Sequence, residues 1–85
     1  MKIVATWKKP IYVFSFSAFK SVIGYATIEK ISKKYKRKEE YFIYHWRRFY
    51  ENGVIEDSGD SYTLLSAQKK AQKYGCIKAA KWEPI

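Results

Sequence analysis

YFIYHWRRFYENGVIED, residues 41–57, is the part of the sequence that constrains the structure most. Asn52-Gly53 supplies two residues that tolerate positive φ, as a type I′ hairpin turn requires. The stretch therefore predicts two antiparallel strands, Tyr41–Glu51 and Val54–Asp57. The expected register pairs Glu51 with Val54, Tyr50 with Ile55, Phe49 with Glu56 and Arg48 with Asp57.

Both faces of this hairpin carry aromatic side chains, because side chains alternate along a strand. Arg48 opposite Asp57 is interpreted as a structural ion pair across the strands. One face is predicted to hold Phe42, Tyr44, Trp46, Arg48, Tyr50, Ile55 and Asp57, and the other Tyr41, Ile43, His45, Arg47, Phe49, Val54 and Glu56.

The residues before the hairpin also favour strands. Ile11–Ser17 places aromatic rings at every second position, which is the period of a strand. Lys2–Trp7 predicts a short strand that ends at Lys8-Lys9-Pro10. Val22–Ile31 predicts another strand, in which Gly24 marks a bulge or a close contact.

The residues after the hairpin favour a helix. Asp57-Ser58-Gly59-Asp60 predicts a turn, and Thr63 is expected to cap a helix of about three turns that ends at Gly75. Cys76–Trp82 is expected to return as an edge strand that Glu83-Pro84 ends. The apolar stripe of the helix consists of Leu64, Ala67, Ala71 and Tyr74.

These elements predict a single compact α+β domain over residues 1–85. Its architecture is an antiparallel sheet of four or five strands with one amphipathic helix packed on one face. The helix is too short to persist alone in water, so its stripe must dock on the sheet. One helix covers one face only, and the aromatic side chains of the other face are then left partly in water.

The composition excludes several function classes. An 85-residue chain has room for one thin core and no large enclosed active site. Cys76 is the only cysteine, so an internal disulfide or a cysteine metal cluster cannot form, and a reduced, cytoplasmic setting is expected. Cys76 follows the predicted helix end and is expected to be a small buried filler. Lys20 interrupts the apolar stretch Ile11–Ile28, so neither a membrane span nor a signal peptide is predicted.

Positive charge is the strongest functional signal. The chain has 17 Lys and Arg against 8 Asp and Glu, a formal charge of +9. Five cations fall within residues 33–38, in the charged connection Ser32–Glu40. Such a run is either a solvated loop that aids solubility or a site for a polyanion. The second sheet face is either a platform for nucleic acid, a covered face, or a contact in a homodimer.

An RNA-binding surface is the leading prediction, because bases stack on exposed rings and cations meet phosphates. Duplex DNA is less favoured, since the predicted helix has no Arg or Asn for groove recognition. The predicted nucleic-acid-binding residues are Lys33, Lys34, Tyr35, Lys36, Arg37, Lys38, Tyr44, Trp46, Arg47, Lys69, Lys70 and Lys73.

Catalysis is not predicted. His45 is the only histidine, so two histidines cannot act as an acid and base pair within one chain. Asp57 and Asp60 are the only carboxylates with a suggestive spacing, and they fall in a predicted turn. No catalytic residue, metal site or cofactor is therefore expected.

In residue usage and in the order of its segments, the sequence resembles the small basic accessory proteins by which tailed phages, especially T-even relatives, counter host defences. The resemblance rests on Lys, Tyr, Ile and Phe usage, the hairpin 41–57, the segment TLLSAQKKA at 63–71 and the closing Trp82-Glu83-Pro84. It implies a protein without chemistry of its own that binds RNA, or a host ribonucleoprotein, and neutralises a toxin endoribonuclease. The alternative it implies is an inhibitor similar to anti-CRISPR proteins, whose basic aromatic face binds an acidic groove of a protein.

Overall fold

The computed structural model describes residues 2–34 and 39–85. It confirms the α+β prediction, with one five-stranded antiparallel sheet and a single short helix packed against it. The strands lie in the order β4-β3-β2-β1-β5. The elements are β1 (Lys2–Ser15), β2 (Lys20–Lys34), β3 (Glu40–Tyr50), β4 (Ile55–Ser61), α1 (Leu64–Ala71) and β5 (Glu83–Pro84).

Strand β1 runs through Pro10, although a shorter strand was predicted to end there. That prediction was wrong because the proline nitrogen faces the outer edge of β1. Two residues further on, the Tyr12 N–H points away from β2 and donates to the Gly75 carbonyl at 3.3 Å. Pro10 has the same orientation and therefore removes no hydrogen bond from the ladder between β1 and β2.

The hairpin turn between β3 and β4 differs from the predicted type I′ turn. The Tyr50 carbonyl accepts from the Gly53 N–H at 2.9 Å, and the Tyr50 N–H donates to the Val54 carbonyl at 2.8 Å. The loop thus has three residues, and within it only Gly53 has positive φ, at 90°. Asn-Gly also suits this geometry, which needs a left-handed residue at its last position alone.

The longer loop changes the register of β4. Phe49 pairs with Ile55, and a bulge at Glu56 then restores the predicted pair of Arg48 with Asp57. Ile55 consequently shares a face with Phe49, and Glu56 bonds to Arg48, so these two β4 residues lie on the faces opposite to those predicted.

Strand β4 continues through Ser58-Gly59-Asp60, so the predicted turn at these residues was wrong. Gly59 pairs with Trp46, and a Cβ at Gly59 would lie 2.7 Å from the indole ring. A glycine is needed here because the indole packs directly against the strand backbone. Gly24 is likewise a point of close packing, as predicted, since a Cβ there would lie 2.2 Å from the Phe49 carbonyl oxygen.

Helix α1 packs on the sheet through small side chains. Ala67 and Ala71 are fully buried, and the Thr63 hydroxyl accepts from the Ser66 N–H at 3.1 Å, which confirms the predicted cap. The helix has eight residues, so it is shorter than expected, and Tyr74 lies beyond its end. The buried apolar core consists of Ile11, Val13, Ala26, Ile28, Trp46, Ala67 and Ala71.

Arg48 connects the sheet to the end of the helix. Arg48 is 1% exposed, and its side chain donates to Glu56 at 2.5 Å, to Asp57 at 2.9 Å and to the Lys70 carbonyl at 2.5 Å. The predicted ion pair with Asp57 is confirmed. The guanidinium also satisfies a carbonyl that the helix end leaves without an intrahelical partner.

The C-terminal segment differs from its prediction. In the stretch Cys76–Trp82 only Cys76 pairs with a strand, in an isolated bridge to Ile11, and Cys76 is exposed rather than buried. Ala79 adopts φ 71°, a left-handed conformation that interrupts an extended chain. The edge strand forms at Glu83–Pro84 instead, beside Trp7 and Lys8. Among the described residues, no helix is both long and apolar enough to cross a membrane.

Candidate nucleic-acid interface

The sheet face opposite α1 is here called the open face, because in the described part of the chain no helix or strand lies over it. Cross-strand pairing arranges its side chains in three neighbouring rows. The acidic row is Thr6, Glu29, His45 and Asp60; the donor row is Lys8, Thr27, Arg47 and Ser58; and the aromatic row is Pro10, Tyr25, Phe49 and Ile55.

A stacked pair of rings lies at the centre of the aromatic row. Tyr25 and Phe49 have ring centroids 4.8 Å apart and planes within 13° of each other. The Lys8 ammonium lies 4.4 Å from the Tyr25 centroid, in a cation–π contact. Since β1 and β3 flank β2, the Tyr25 ring is held between Lys8 and Phe49. Both rings are half-buried, so part of this pair contacts solvent.

One ion pair and one hydrogen-bonded pair lie beside these rings. Arg47 pairs with Glu29, and the His45 Nδ1 lies 2.7 Å from an Asp60 carboxylate oxygen. The Arg47 side chain is 37% exposed and that of Asp60 63%. Because one partner of each pair is in contact with solvent, water screens these interactions, and an anionic ligand can compete with Glu29 for Arg47. The partners of His45 and Arg47 come from other strands, so these pairs were not predicted from the local sequence.

One end of the sheet carries a group of cations, here called the basic end: Lys2, Lys33 and Lys34, with Tyr41. Lys33 pairs with Tyr41 across β2 and β3. Residues Lys2, Lys33, Lys34 and Tyr41 line a cleft of about 650 Å³ together with Ser32 and Glu40. The other predicted site residues of this segment, Tyr35, Lys36, Arg37 and Lys38, lie outside the described residues.

Tyr44 and Trp46, two of the rings predicted to contact bases, lie on the helix side of the sheet. Trp46 is 7% exposed and belongs to the core, so this conformation leaves it no face for a base. Tyr44 is half-buried and packs near Trp7, with ring centroids 6.4 Å apart. The interpretation of Trp46 as a base-stacking residue was therefore wrong, because α1 covers that face.

The remaining predicted cations do not form one surface. Lys69, Lys70 and Lys73 are exposed on the helix side, where they line a groove of about 380 Å³ with Trp46, Arg48 and Asp57. Arg47 lies on the open face, and Lys33 and Lys34 lie at the basic end. The predicted cations that the structure describes thus lie in three separate places.

Sequence reasoning missed the ring pair of the open face. The alternation within Val22–Ile31 puts Tyr25 on the same face as Thr27 and Glu29, and this was visible in the sequence. Two facts were not visible: that β1 continues through Pro10, which brings Lys8 to Tyr25, and which face α1 covers. In residues 2–34 and 39–85, no group of three His, Cys, Asp or Glu is arranged to hold a metal ion.

Comparisons with protein-family models, with characterised proteins and with solved structures found no match to this chain.

Proposed function

We propose that this is a non-enzymatic RNA-binding protein. The observation that carries the proposal is the combination of two features on one sheet. The cation-rich segment 33–38 begins at the basic end, and the open face presents stacked Tyr25 and Phe49 rings beside Lys8. Cations supply affinity for phosphates, and rings supply stacking for bases.

The net charge of the segment 33–40 supports the same proposal. Residues 33–40 contain five cations and two carboxylates, so their formal charge is +3, and Lys2 adds one more. Like charges in one connection repel each other and do not stabilise the fold. A polyanion relieves that repulsion, with release of the counterions that surround its phosphates.

RNA is favoured over duplex DNA by the architecture. Helix α1 has eight residues, none of which is Arg or Asn, so it is poorly suited to recognise bases in a major groove. A sheet face with rings suits single-stranded RNA, whose bases are free to stack on side chains. The inhibition of a host nuclease or ribonucleoprotein by this binding is supported by the resemblance to phage counter-defence proteins.

The alternative is a protein–protein inhibitor, and a group of exposed apolar side chains favours it. Phe16 and Phe19 in the turn between β1 and β2 are 69% and 83% exposed, and Ile23 and Val54 nearby are 58% and 56% exposed. Exposed apolar groups of this kind are typical of protein contacts. A protein partner would be anchored at this end of the sheet, away from the basic end.

The proposal is tested by RNA binding across a salt series with three variants of equal charge. K33Q/K34Q/K36Q alters the cation run, K69Q/K70Q/K73Q alters the helix side, and K20Q/K78Q/K81Q alters exposed lysines outside both. Each lowers the formal charge from +9 to +6. The salt slope is the steepness with which the logarithm of the binding constant falls as the logarithm of the salt concentration rises. We expect the first variant to lower this slope by about 2, since each phosphate contact with a single strand contributes roughly 0.7.

The control variant K20Q/K78Q/K81Q should change the salt slope by less than half as much. Equal weakening in all three variants would show attraction by net charge alone and would contradict a site at the basic end. Purified protein that retains no RNA, and that captures one host polypeptide after nuclease treatment, would favour the protein–protein alternative.

A further inference from the structure

We propose that an unpaired RNA strand crosses the open face, with its phosphates on the donor row and its bases on the aromatic row. This inference rests on the proposed function, and it names the class of RNA and the residues that select it. It assigns binding to Lys8, Tyr25 and Phe49, which lie apart from the cation run at residues 33–38.

The donor row is suited to a phosphate backbone because each of its four side chains can donate a hydrogen bond. Lys8 and Arg47 are cations, while Thr27 and Ser58 carry hydroxyl groups. None is a carboxylate. The row crosses four strands, about 14 Å from end to end at the usual strand spacing. It therefore offers positions for more than one phosphate.

The aromatic row lies two residues from the donor row along β1, β2 and β3, a distance of about 7 Å, and three residues from it along the bulged β4. A sugar spans the gap between a phosphate on one row and a base on the other. In the free protein, the Lys8 ammonium lies over one face of the Tyr25 ring, 4.4 Å from the ring centroid. When Lys8 turns to a phosphate, that ring face is uncovered for a base, so the two contacts form together.

The acidic row restricts the RNA backbone to the side of the donor row that faces the rings. Glu29 and Asp60 border the donor row on the side away from the rings, and their charges repel a phosphate from that side. Glu29 also holds Arg47 in the free protein, and the side chain of Glu29 is only 16% exposed. A phosphate must therefore compete with Glu29 for Arg47, and removal of the Glu29 charge should strengthen RNA binding.

Single-stranded RNA is the occupant that this arrangement selects. In a duplex the bases are stacked inside the helix and cannot reach Tyr25 or Phe49. A polyanion without bases can use Lys8 and Arg47 but gains nothing from the rings. The preference for an unpaired strand is thus a property of the aromatic row.

The test compares three ligands: a uridine oligomer of about ten nucleotides, within the usual size of a single-strand site, the same oligomer in a duplex, and heparin. Y25L/F49L removes both rings, and Y62L is the matched control, since Tyr62 is 80% exposed and lies between β4 and α1. We expect Y25L/F49L to weaken oligomer binding about 5- to 100-fold per base that stacks, with heparin binding unchanged. Y62L should bind all three ligands as the unaltered protein does.

Single-charge variants keep the proposal testable if the double ring variant fails to fold. K8Q should weaken binding of the oligomer and E29Q should strengthen it, each by a few fold, while K78Q, at an exposed lysine elsewhere, should do neither. Folded Y25L/F49L that binds the oligomer unchanged would overturn the inference and leave RNA binding intact. E29Q that fails to strengthen binding, or equal affinity for oligomer and duplex, would overturn it as well. Absence of RNA binding by the unaltered protein would overturn both proposals.

Discussion

The two faces of the sheet are built from the same strands and the same residue types, yet they have different physical roles. Arg48 and Arg47 are neighbours on β3 and illustrate the contrast. Arg48 is 1% exposed and has three partners, including a helix carbonyl. Arg47 has a side chain that is 37% exposed and pairs with Glu29. On the side covered by α1, an arginine is buried and stabilises the structure. On the open side, an arginine remains accessible to a ligand.

The largest expected effect on stability is that of Arg48→Met. This change leaves Glu56, whose side chain is 6% exposed, without its cation in a buried site. Loss of one partner from a buried ion pair costs about 3–5 kcal/mol in free energy of unfolding. The loss in free energy of unfolding is measured by a urea titration in which circular dichroism reports the folded fraction.

The control for Arg48→Met is the double variant R48M/E56Q, which also removes the buried carboxylate charge. It should recover part of the lost stability, because the cost arises mainly from an unpaired buried charge. A single variant as stable as the unaltered protein would contradict the structural role of Arg48.

A smaller effect is expected from Gly59→Ala. The new Cβ would lie 2.7 Å from the Trp46 indole, so the ring or the strand must shift. Overpacking of this kind costs about 1–3 kcal/mol. Ser58→Ala, one residue earlier and on the open face, should change the free energy of unfolding by less than about 0.5 kcal/mol. Equal effects of the two changes would mean that Trp46 does not pack against β4.

Thr63→Ala tests how far the helix depends on its cap. The change removes the hydroxyl that accepts from the Ser66 N–H, and such caps contribute about 1 kcal/mol. Thr63→Ser keeps the acceptor and should retain most of the stability in the same urea titration. If both variants lose the same amount, the methyl group of Thr63 rather than its hydroxyl stabilises the helix.

The fold class was predictable because local signals agreed with each other. The alternation within 41–57 predicts paired strands, Thr63 predicts the start of a helix, and Gly75 predicts the end of that helix. The β4 register was not predictable, since Asn52-Gly53 fits both a two-residue and a three-residue loop. The candidate site was harder still. Its ring pair depends on a helix that covers Trp46 rather than Phe49, and that choice is made by long-range packing.

Arg47→Met is expected to affect stability less than Arg48→Met does and to have the clearest effect on function. The change leaves Glu29, whose side chain is 16% exposed, without its cation. Because the Arg47 side chain is 37% exposed, water screens this pair, and we expect a smaller loss in free energy of unfolding than for Arg48→Met. Under the proposed function, the same change removes a phosphate contact from the donor row and lowers the salt slope of RNA binding by about 0.7. Arg48→Met should show the reverse pattern at temperatures where it remains folded, with lost stability and an unchanged salt slope. If Arg47→Met destabilised the protein as much as Arg48→Met and left RNA binding unaltered, the two faces of the sheet would not differ in role.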